Sequence, residues 1–303
     1  MIVLLESVHP DALAMLEDVD EVRLMADPLV IDESVPRRDV LAMLTRGRGR
    51  ITAATFDEFP SLVVVGRCGA GLDNIDVAAA RDRGVAVVNA PGATTAAVAE
   101  HAVLLMLGIA RRTSVLDAAV KAGHWSVRDG YTGAELRGKR LGVVGLGAIG
   151  RRVAALGQAF EMEVAYWSPT STDDRFLFLE LDELLATADV VQLCVALAPD
   201  TRGLLGARRL ALLKPTALLV NTSRGAILDH GALVEAITAG RLAGYATDVW
   251  EPEPPATAEL AALGDHLLVT PHVAAITDVT YREICVITAE AAIAALAERP
   301  MGV

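Results

Sequence analysis

The stretch LGVVGLGAIG at residues 141–150 decides the fold of this chain. It contains the pattern Gly145-x-Gly147-x-x-Gly150 directly after an apolar run and at the start of an amphipathic one. In such a pattern the first glycine permits a tight turn, the second lets the backbone approach a pyrophosphate, and the third allows close packing of helix against strand. The helix N-terminus then offers free N–H groups and a positive dipole end to phosphates. Because strand, motif, helix and next strand follow in order, the stretch predicts a dinucleotide-binding site rather than an ordinary glycine-rich turn.

Short apolar runs alternate with Ala-rich amphipathic stretches along the whole chain. Runs rich in Val, Leu and Ile predict strands at residues 1–5, 62–65, 85–88, 141–144, 163–166, 190–195 and 217–221. An apolar helix is predicted from Val98 to Arg112 and a final helix from about Asp278 to Arg299. This alternation predicts an α/β fold in which helices cover both faces of parallel sheets. The helix from Val98 must be buried, either within one subunit or in a homodimer interface.

Length and charge narrow the class of protein. A chain of 303 residues, 53% of them hydrophobic, suits two domains. The formal net charge of -12 disfavours nucleic acids and anionic membranes as partners. No signal peptide or membrane-spanning run is evident. The three cysteines lack metal-ligand spacing, so we expect no metal site, and their odd number fits a cytoplasmic protein.

The residue that selects between NAD and NADP is unusual. An acidic residue about 20 positions beyond the glycine motif commonly binds the adenosine ribose and repels a 2′-phosphate. Ser168 occupies that position, no acidic residue follows before Asp173, and the nearest arginine after it is Arg175. The cofactor is therefore NAD or NADP.

A series of motifs extends over most of the chain. They are residues 66–76 (GRCGAGLDNID), 89–92 (NAPG), 98–101 (VAEH), 136–139 (LRGK), 145–150, 221–225 (NTSRG), 248–254 (DVWEPEP) and 270–272 (TPH). With these motifs the chain resembles the D-isomer-specific 2-hydroxyacid dehydrogenase family, which includes phosphoglycerate dehydrogenases and glyoxylate/hydroxypyruvate reductases. The resemblance implies two Rossmann-like doubly wound domains of the formate/glycerate dehydrogenase type. A discontinuous substrate domain would comprise residues 1–90 and 276–303, and a dinucleotide-binding domain residues 91–275.

The resemblance also implies roles for individual residues. The catalytic residues would be Arg224, Glu253 and His272, where His272 is the general acid/base and Glu253 its partner. Cofactor contacts would come from the glycine motif with Ala148 and Ile149 (diphosphate), Ser168, Thr222, Ser223 and Asp248 (nicotinamide carboxamide). Substrate contacts would come from Gly69, Ala70, Gly71 and Arg46. The serine that usually follows such an arginine in phosphoglycerate dehydrogenases is replaced by Gly47.

The reaction explains why these residue types are needed. Reduction of a 2-oxo acid requires that the carboxylate be held, the carbonyl polarised and the new alkoxide protonated. A planar guanidinium serves the first two needs and an imidazole the third. A carboxylate beside the imidazole orients it and favours its charged form. By composition alone Glu251 is as good a partner as Glu253, and only the family register selects Glu253.

The sequence thus predicts an oxidoreductase that transfers a hydride between NAD(P)H and a 2-oxo acid, giving a D-2-hydroxy acid. The alternatives are a nicotinamide-sensing binding protein of the same fold, similar to transcriptional corepressors, and a formate-type dehydrogenase. Glu253 speaks against the second, in which a glutamine is expected. His101 lies in an apolar helix and is interpreted as structural.

Overall fold

The computed structural model describes residues 1–298. Within them, the strands are β1 (Ile2–Leu4), β2 (Val22–Leu24), β3 (Ala42–Thr45), β4 (Val64–Arg67), β5 (Ala86–Asn89), β6 (Arg140–Val144), β7 (Glu163–Trp167), β8 (Leu177–Phe178), β9 (Val190–Leu193), β10 (Leu218–Asn221), β11 (Gly244–Thr247) and β12 (Leu267–Val269). The helices are α1 (Pro10–Glu17), α2 (Ala53–Glu58), α3 (Val77–Asp82), α4 (Thr95–Ala110), α5 (Thr113–Lys121), α6 (Ala148–Ala159), α7 (Leu181–Thr187), α8 (Ala207–Leu210), α9 (His230–Thr238), α10 (Thr257–Leu263) and α11 (Asp278–Ala297). Short 3₁₀ segments occur at Trp125–Gly130, Gly225–Ile227 and Gly264–His266.

The chain forms two compact units. One, here called the terminal unit, consists of Met1–Thr94 and the chain from Ala275 onward. The other, the central unit, consists of Thr95–Ala274. Each unit has its own parallel sheet, so the prediction of an α/β fold with two doubly wound sheets is confirmed.

The terminal unit is built on a five-stranded parallel sheet in the order β2-β1-β3-β4-β5. One face packs against α1 and α11, through residues such as Leu16, Ile284 and Ala289. The other face packs against α2 and α3, through Phe56 and Ala80. Strand order reverses between β1 and β3, so the loops that follow these two strands meet at the carboxyl edge.

The central unit contains a seven-stranded parallel sheet in the order β12-β11-β10-β9-β6-β7-β8. On one face α4 and α6 are buried through Leu105, Met106 and Val153. On the other face α7 and α9 are buried through Leu184 and Leu233. The order reverses between β6 and β9, which puts the glycine motif after β6 at the crevice where ligands of doubly wound sheets bind.

Several predicted elements differ from those observed. Four strands were not predicted, namely β2, β3, β8 and β11, and β12 was expected only as a strand that ends at Thr270-Pro271-His272. The strand predicted to reach Val195 ends at Leu193, and the helix predicted from Val98 to Arg112 is α4, which begins at Thr95 and ends at Ala110. The predicted end of the last helix, at Arg299, lies outside the described residues. No helix within residues 1–298 combines the length and the apolar character that crossing a bilayer requires.

Candidate active site

The glycine motif forms a tight turn between β6 and α6. Gly145 has a φ of +101°, and a Cβ at this position would lie 2.6 Å from the backbone nitrogen of Val195. A Cβ on Gly150 would lie 2.0 Å from the carbonyl oxygen of Gly145. A Cβ on Gly147, the N-cap of α6, would meet nothing within 4 Å. The turn therefore needs two of its glycines for its own packing, and the third borders open space at a helix N-terminus, where a diphosphate fits.

The loop after β7 carries Ser168, the residue predicted to select between NAD and NADP. Ser168 Oγ accepts a hydrogen bond from the backbone N–H of Ser171 at 3.2 Å. Further along, hydrogen bonds and charge from Arg175 hold the pKa of Asp173 well below its usual range. Arg151, in the first turn of α6, has its Nε 3.5 Å from Asp173 Oδ2 and donates from NH2 to the carbonyl oxygen of Thr172. Arg151 thus lies beside this loop, although the two are too far apart in the sequence for the sequence to indicate it.

The loop after β10 presents Arg224. Asn221 is fully buried, accepts from the N–H of Ser223 at 2.9 Å, and donates to the carbonyl oxygen of Arg224 at 3.0 Å. The Thr222 hydroxyl accepts a hydrogen bond from Gln192 Nε2 at 3.0 Å, and the Ser223 hydroxyl donates to the carbonyl oxygen of Leu193 at 2.9 Å. Both partners belong to β9. These bonds fix the loop, so the half-buried Arg224 begins from a rigid backbone at the carboxyl edge of the sheet.

His272 and Glu253 form a pair at the same edge. His272 Nδ1 lies 2.9 Å from Glu253 Oε2 and 3.1 Å from Oε1, and the N–H of Trp250 donates to Oε1 at 3.1 Å. Partial burial raises the pKa of Glu253, but the hydrogen bonds from His272 and the Trp250 N–H, together with the charges of His272 and Arg224, outweigh it, so this pKa lies below its ordinary value. The structure therefore places Glu253 against the imidazole, and the three predicted catalytic residues share one carboxyl edge.

Asp248, directly after β11, clamps the loop that carries His272. Its carbonyl oxygen accepts from the His272 N–H at 2.8 Å. Its carboxylate accepts from the N–H groups of Val273 at 2.9 Å and Ala274 at 2.8 Å. The clamp matters because His272 has a φ of +56°, a left-handed conformation that costs about 1–2 kcal/mol for a residue with a side chain. The predicted contact of Asp248 with a nicotinamide carboxamide stays a prediction.

In the terminal unit, the loop 69–71 follows β4. Gly69 has a φ of +144°, and a Cβ there would collide with the guanidinium of Arg67. The N–H of Ala90 donates to the carbonyl oxygen of Gly69 at 2.9 Å, and Asn89 Nδ2 donates to that of Ala70 at 2.7 Å. Asn89 is the last residue of β5 and Ala90 follows it. Because both carbonyl oxygens accept hydrogen bonds from this segment, the loop is held in one conformation.

Glu6 is a buried carboxylate that sequence reasoning did not single out. It follows β1 and accepts hydrogen bonds on Oε2 from the N–H groups of Arg46 at 2.7 Å and Gly47 at 2.9 Å, and from Thr45 Oγ1 at 2.9 Å. Burial raises the pKa of Glu6, but these bonds together lower it below its ordinary value. The Arg46 guanidinium stacks over the Tyr281 ring at 5.3 Å, with its Nε buried. Glu6 therefore shapes the loop that begins with Arg46.

The signal for Glu6 in the sequence is one acidic residue at the end of an apolar strand, which alone does not reveal its partners 40 residues away.

Metal ligands were not expected. Within residues 1–298, no group of three or more His, Cys, Asp or Glu side chains is arranged to hold a metal ion.

Comparison with known proteins gives a family for this architecture. Residues 103–274 match the model described as "D-isomer specific 2-hydroxyacid dehydrogenase, NAD binding domain". A D-3-phosphoglycerate dehydrogenase of Archaeoglobus fulgidus is 40% identical over 82% of this chain and 48% of its own length. The chain thus spans about half the length of the phosphoglycerate dehydrogenases it matches.

Two further relatives match over most of their length. A glyoxylate reductase of Pyrococcus furiosus is 36% identical over 89% of this chain and 84% of its own. The crystal structure of a glyoxylate reductase from Paecilomyes thermophila superimposes with a TM-score of 0.87 at 30% identity, covering 98% of this chain and 95% of that one.

The role of Glu6 gives a stability prediction. We expect Glu6→Gln to lower the free energy of unfolding at pH 7 by about 2 kcal/mol, because a neutral amide oxygen accepts hydrogen bonds from the clustered N–H groups more weakly than a charged carboxylate oxygen does. Since the pKa of Glu6 is lowered on folding, the wild-type protein should lose this contribution as the pH falls below roughly 4, and the variant should not. Urea unfolding of wild type and Glu6→Gln, at pH 7 and at a pH below roughly 4, measures this difference in free energy. Glu21→Gln, at an exposed position, is the control, and equal stability of Glu6→Gln and wild type would show that the clamp contributes nothing.

Proposed function

We propose that this chain, which belongs to the D-isomer-specific 2-hydroxyacid dehydrogenase family, interconverts 2-oxo acids and D-2-hydroxy acids with a nicotinamide cofactor. The observation that carries the proposal is the hydrogen bond between His272 and Glu253. It lies at the carboxyl edge of the same sheet in which the glycine motif follows β6. A proton donor and a dinucleotide-binding turn thereby belong to one rigid parallel sheet. The bound cofactor would supply or accept the hydride.

Arg224 would hold and polarise the substrate. Its planar guanidinium can donate to a carboxylate oxygen and a carbonyl oxygen at once, and it stays charged at any physiological pH. As the carbonyl is reduced, negative charge develops on its oxygen, and a fixed positive group stabilises that charge more than it stabilises the ground state. The bonds of Asn221, Thr222 and Ser223 supply the rigid support that such a role requires.

His272 would donate the proton to the new alkoxide. Its Nδ1 faces Glu253, and because a carboxylate only accepts hydrogen bonds, Nδ1 carries a proton and donates it to that bond. The other ring nitrogen, Nε2, is therefore the one available to substrate. His272 lowers the pKa of Glu253 through its hydrogen bond and charge, so the carboxylate that faces the ring is ionised at neutral pH. In the oxidative direction the same imidazole, when neutral, would accept the proton.

The terminal unit would contribute to substrate binding. Loop 69–71 offers backbone N–H groups between glycines, a type of site that binds anions without a side-chain charge. The guanidinium of Arg46 carries a positive charge in the neighbouring loop, which Glu6 shapes. We propose Gly69, Ala70, Gly71 and Arg46 as the substrate-contacting residues of this unit.

The cofactor would be NAD or NADP, with NADPH accepted. Ser168 places a hydroxyl rather than a carboxylate directly after β7, so no like charge there repels a 2′-phosphate. Arg151 lies beside the same loop, and its present partner, Asp173, is also paired with Arg175 at 2.6 Å. Arg151 could therefore turn toward a phosphate without leaving Asp173 uncompensated.

The first prediction from the proposed function tests the reaction and the role of Arg224. We expect the protein to oxidise NADH or NADPH with at least one 2-oxo acid of a panel varied in side chain. Arg224→Lys should lower kcat/KM on the best substrate by about a hundredfold or more, because an ammonium cannot donate in a planar fork. The dissociation constant of the cofactor should change less than threefold.

The matched control is Arg241→Lys, an exposed arginine paired with Glu235, which should keep wild-type kcat/KM. Cofactor binding with no turnover on any 2-oxo acid would instead favour the nicotinamide-sensing binding protein. An Arg224→Lys variant as active as wild type would remove Arg224 from the mechanism.

The second prediction concerns pH. Reduction needs the imidazolium form of His272, so kcat/KM should fall as rising pH removes its proton. Loss of the Glu253 carboxylate removes a charge that favours the imidazolium, and Glu253→Gln should move this fall to lower pH. The measurement is the pH profile of kcat/KM for wild type, Glu253→Gln and the control Glu251→Gln. A shift in the control but not in Glu253→Gln would show that Glu251 is the functional carboxylate.

The third prediction concerns cofactor choice. Wild type should use NADPH at least as well as NADH, and Ser168→Asp should lower kcat/KM for NADPH more than tenfold through like-charge repulsion. Arg151→Gln should reduce the NADPH value selectively, whereas Arg152→Gln, at the exposed neighbouring position of α6, should not. A wild-type protein at least a hundredfold better with NADH would contradict this assignment.

The fourth prediction concerns assembly. In the central unit Leu104, Val120 and Trp125 are 59%, 44% and 66% exposed, and α5 has no buried residue. Exposed apolar side chains of this size are typical of contact surfaces, and we propose that a second copy of the chain covers them. Light scattering should give twice the mass of one chain, and Trp125→Asp should give a single-chain mass. A monomeric wild-type protein at micromolar concentration would exclude the homodimer.

A further inference from the structure

The loop that carries His272 is connected to a histidine on α4. His101 Nε2 lies 2.9 Å from Thr270 Oγ1, and Thr270 Oγ1 lies 2.6 Å from Asp248 Oδ1. His101 Nε2 is also 3.6 Å from the same carboxylate oxygen. The side chain of Asp248 is 1% exposed and that of His101 14%, so this chain of three polar groups is largely shielded from water.

The direction of each hydrogen bond follows from the chemistry of the groups. A carboxylate only accepts, so the single proton of the Thr270 hydroxyl is donated to Asp248. The hydroxyl then has only lone pairs to offer to His101, and Nε2 of His101 must carry the proton. His101 therefore donates to Thr270, which donates to Asp248. Each bond in such a chain polarises and strengthens the next.

This chain ends on the residue that fixes the backbone of His272. Asp248 accepts from three consecutive N–H groups, those of His272, Val273 and Ala274, and two of these bonds depend on the rotamer of its carboxylate. A left-handed residue persists only where its surroundings determine it. If the carboxylate turned, the loop would lose two of the three bonds that hold His272 at a φ of +56°.

We propose that His101 and Thr270 are positioning residues that hold the Asp248 carboxylate in the rotamer required by the His272 loop. His101 acts through Thr270 and Asp248 and does not itself contact the reacting atoms. The proposal rests on the proposed function only in taking His272 as the proton donor. A displaced donor reduces turnover strongly, since misplacement by about 1 Å can cost a hundredfold in rate.

The experiment compares two pairs of variants. Thr270→Val removes the hydroxyl at nearly constant shape, and Thr270→Ser restores it. His101→Leu removes the donor, and His101→Gln places an amide N–H near the position of Nε2. Two measurements are made on each variant. Steady-state kinetics give kcat and KM on the best 2-oxo acid. Hydrogen–deuterium exchange of the apo protein gives the exchange rates of the amides of residues 272–274 and of β6.

We expect Thr270→Val and His101→Leu to lower kcat at least tenfold while the KM for the 2-oxo acid changes less than twofold. The amides of residues 272–274 should exchange at least tenfold faster, and those of β6 at the wild-type rate. Thr270→Ser and His101→Gln should recover most of the lost kcat and most of the lost protection from exchange. A general loss of structure would raise exchange in β6 as well.

Unchanged exchange of the amides of residues 272–274 in both Thr270→Val and His101→Leu would overturn the proposal, as would faster exchange with wild-type kcat. If wild type turns over no 2-oxo acid, the proposed function is wrong. The exchange rates still decide then whether the hydroxyl and the imidazole hold the loop.

Discussion

All strands of a parallel sheet end at the same edge, and this constraint places every loop that carries a proposed site residue. In the central unit the glycine motif follows β6, Ser168 follows β7, Arg224 follows β10, Asp248 follows β11 and His272 follows β12. In the terminal unit, Glu6, Arg46 and the loop 69–71 follow β1, β3 and β4. Residues far apart in sequence are thereby collected at two edges, and the buried strands behind them supply the rigidity that the proposed proton and hydride transfer would require.

The sequence predicted the parts of this arrangement that have local signals. The glycine motif was recognisable because the turn it forms excludes any Cβ at Gly145 and Gly150. Strands rich in Val, Leu and Ile were recognisable from composition, whereas β3 (AMLT) and β11 (GYAT) lack such runs and were missed. The loops carrying Arg224, Glu253 and His272 were identified through the family register. Contacts such as Glu6 with the loop after β3, or Arg151 with the loop after β7, join segments about 20 to 40 positions apart and have no local signal.

The polar groups near Arg224 and His272 are supported by backbone as much as by side chains. Asn221 bonds both to Ser223 and to the Arg224 carbonyl, and Trp250 presents its N–H to Glu253. A Cβ on Gly225 would lie 2.1 Å from the carbonyl carbon of Trp250, so at this position the main chain of the arginine loop lies directly against that of the segment leading to Glu253. Their separation is set by the absence of a side chain at one position, which makes it insensitive to rotamer motion.

The left-handed backbone of His272 has a consequence for how such a chain changes over evolutionary time. Glycine adopts this conformation without the steric penalty that a histidine meets. Exchange of His272 for glycine would therefore relieve strain while abolishing the imidazole. If His272 transfers the proposed proton, selection for stability and selection for that transfer act in opposite directions at this single position. A lineage released from the proposed reaction would drift toward glycine there and keep the fold without the chemistry.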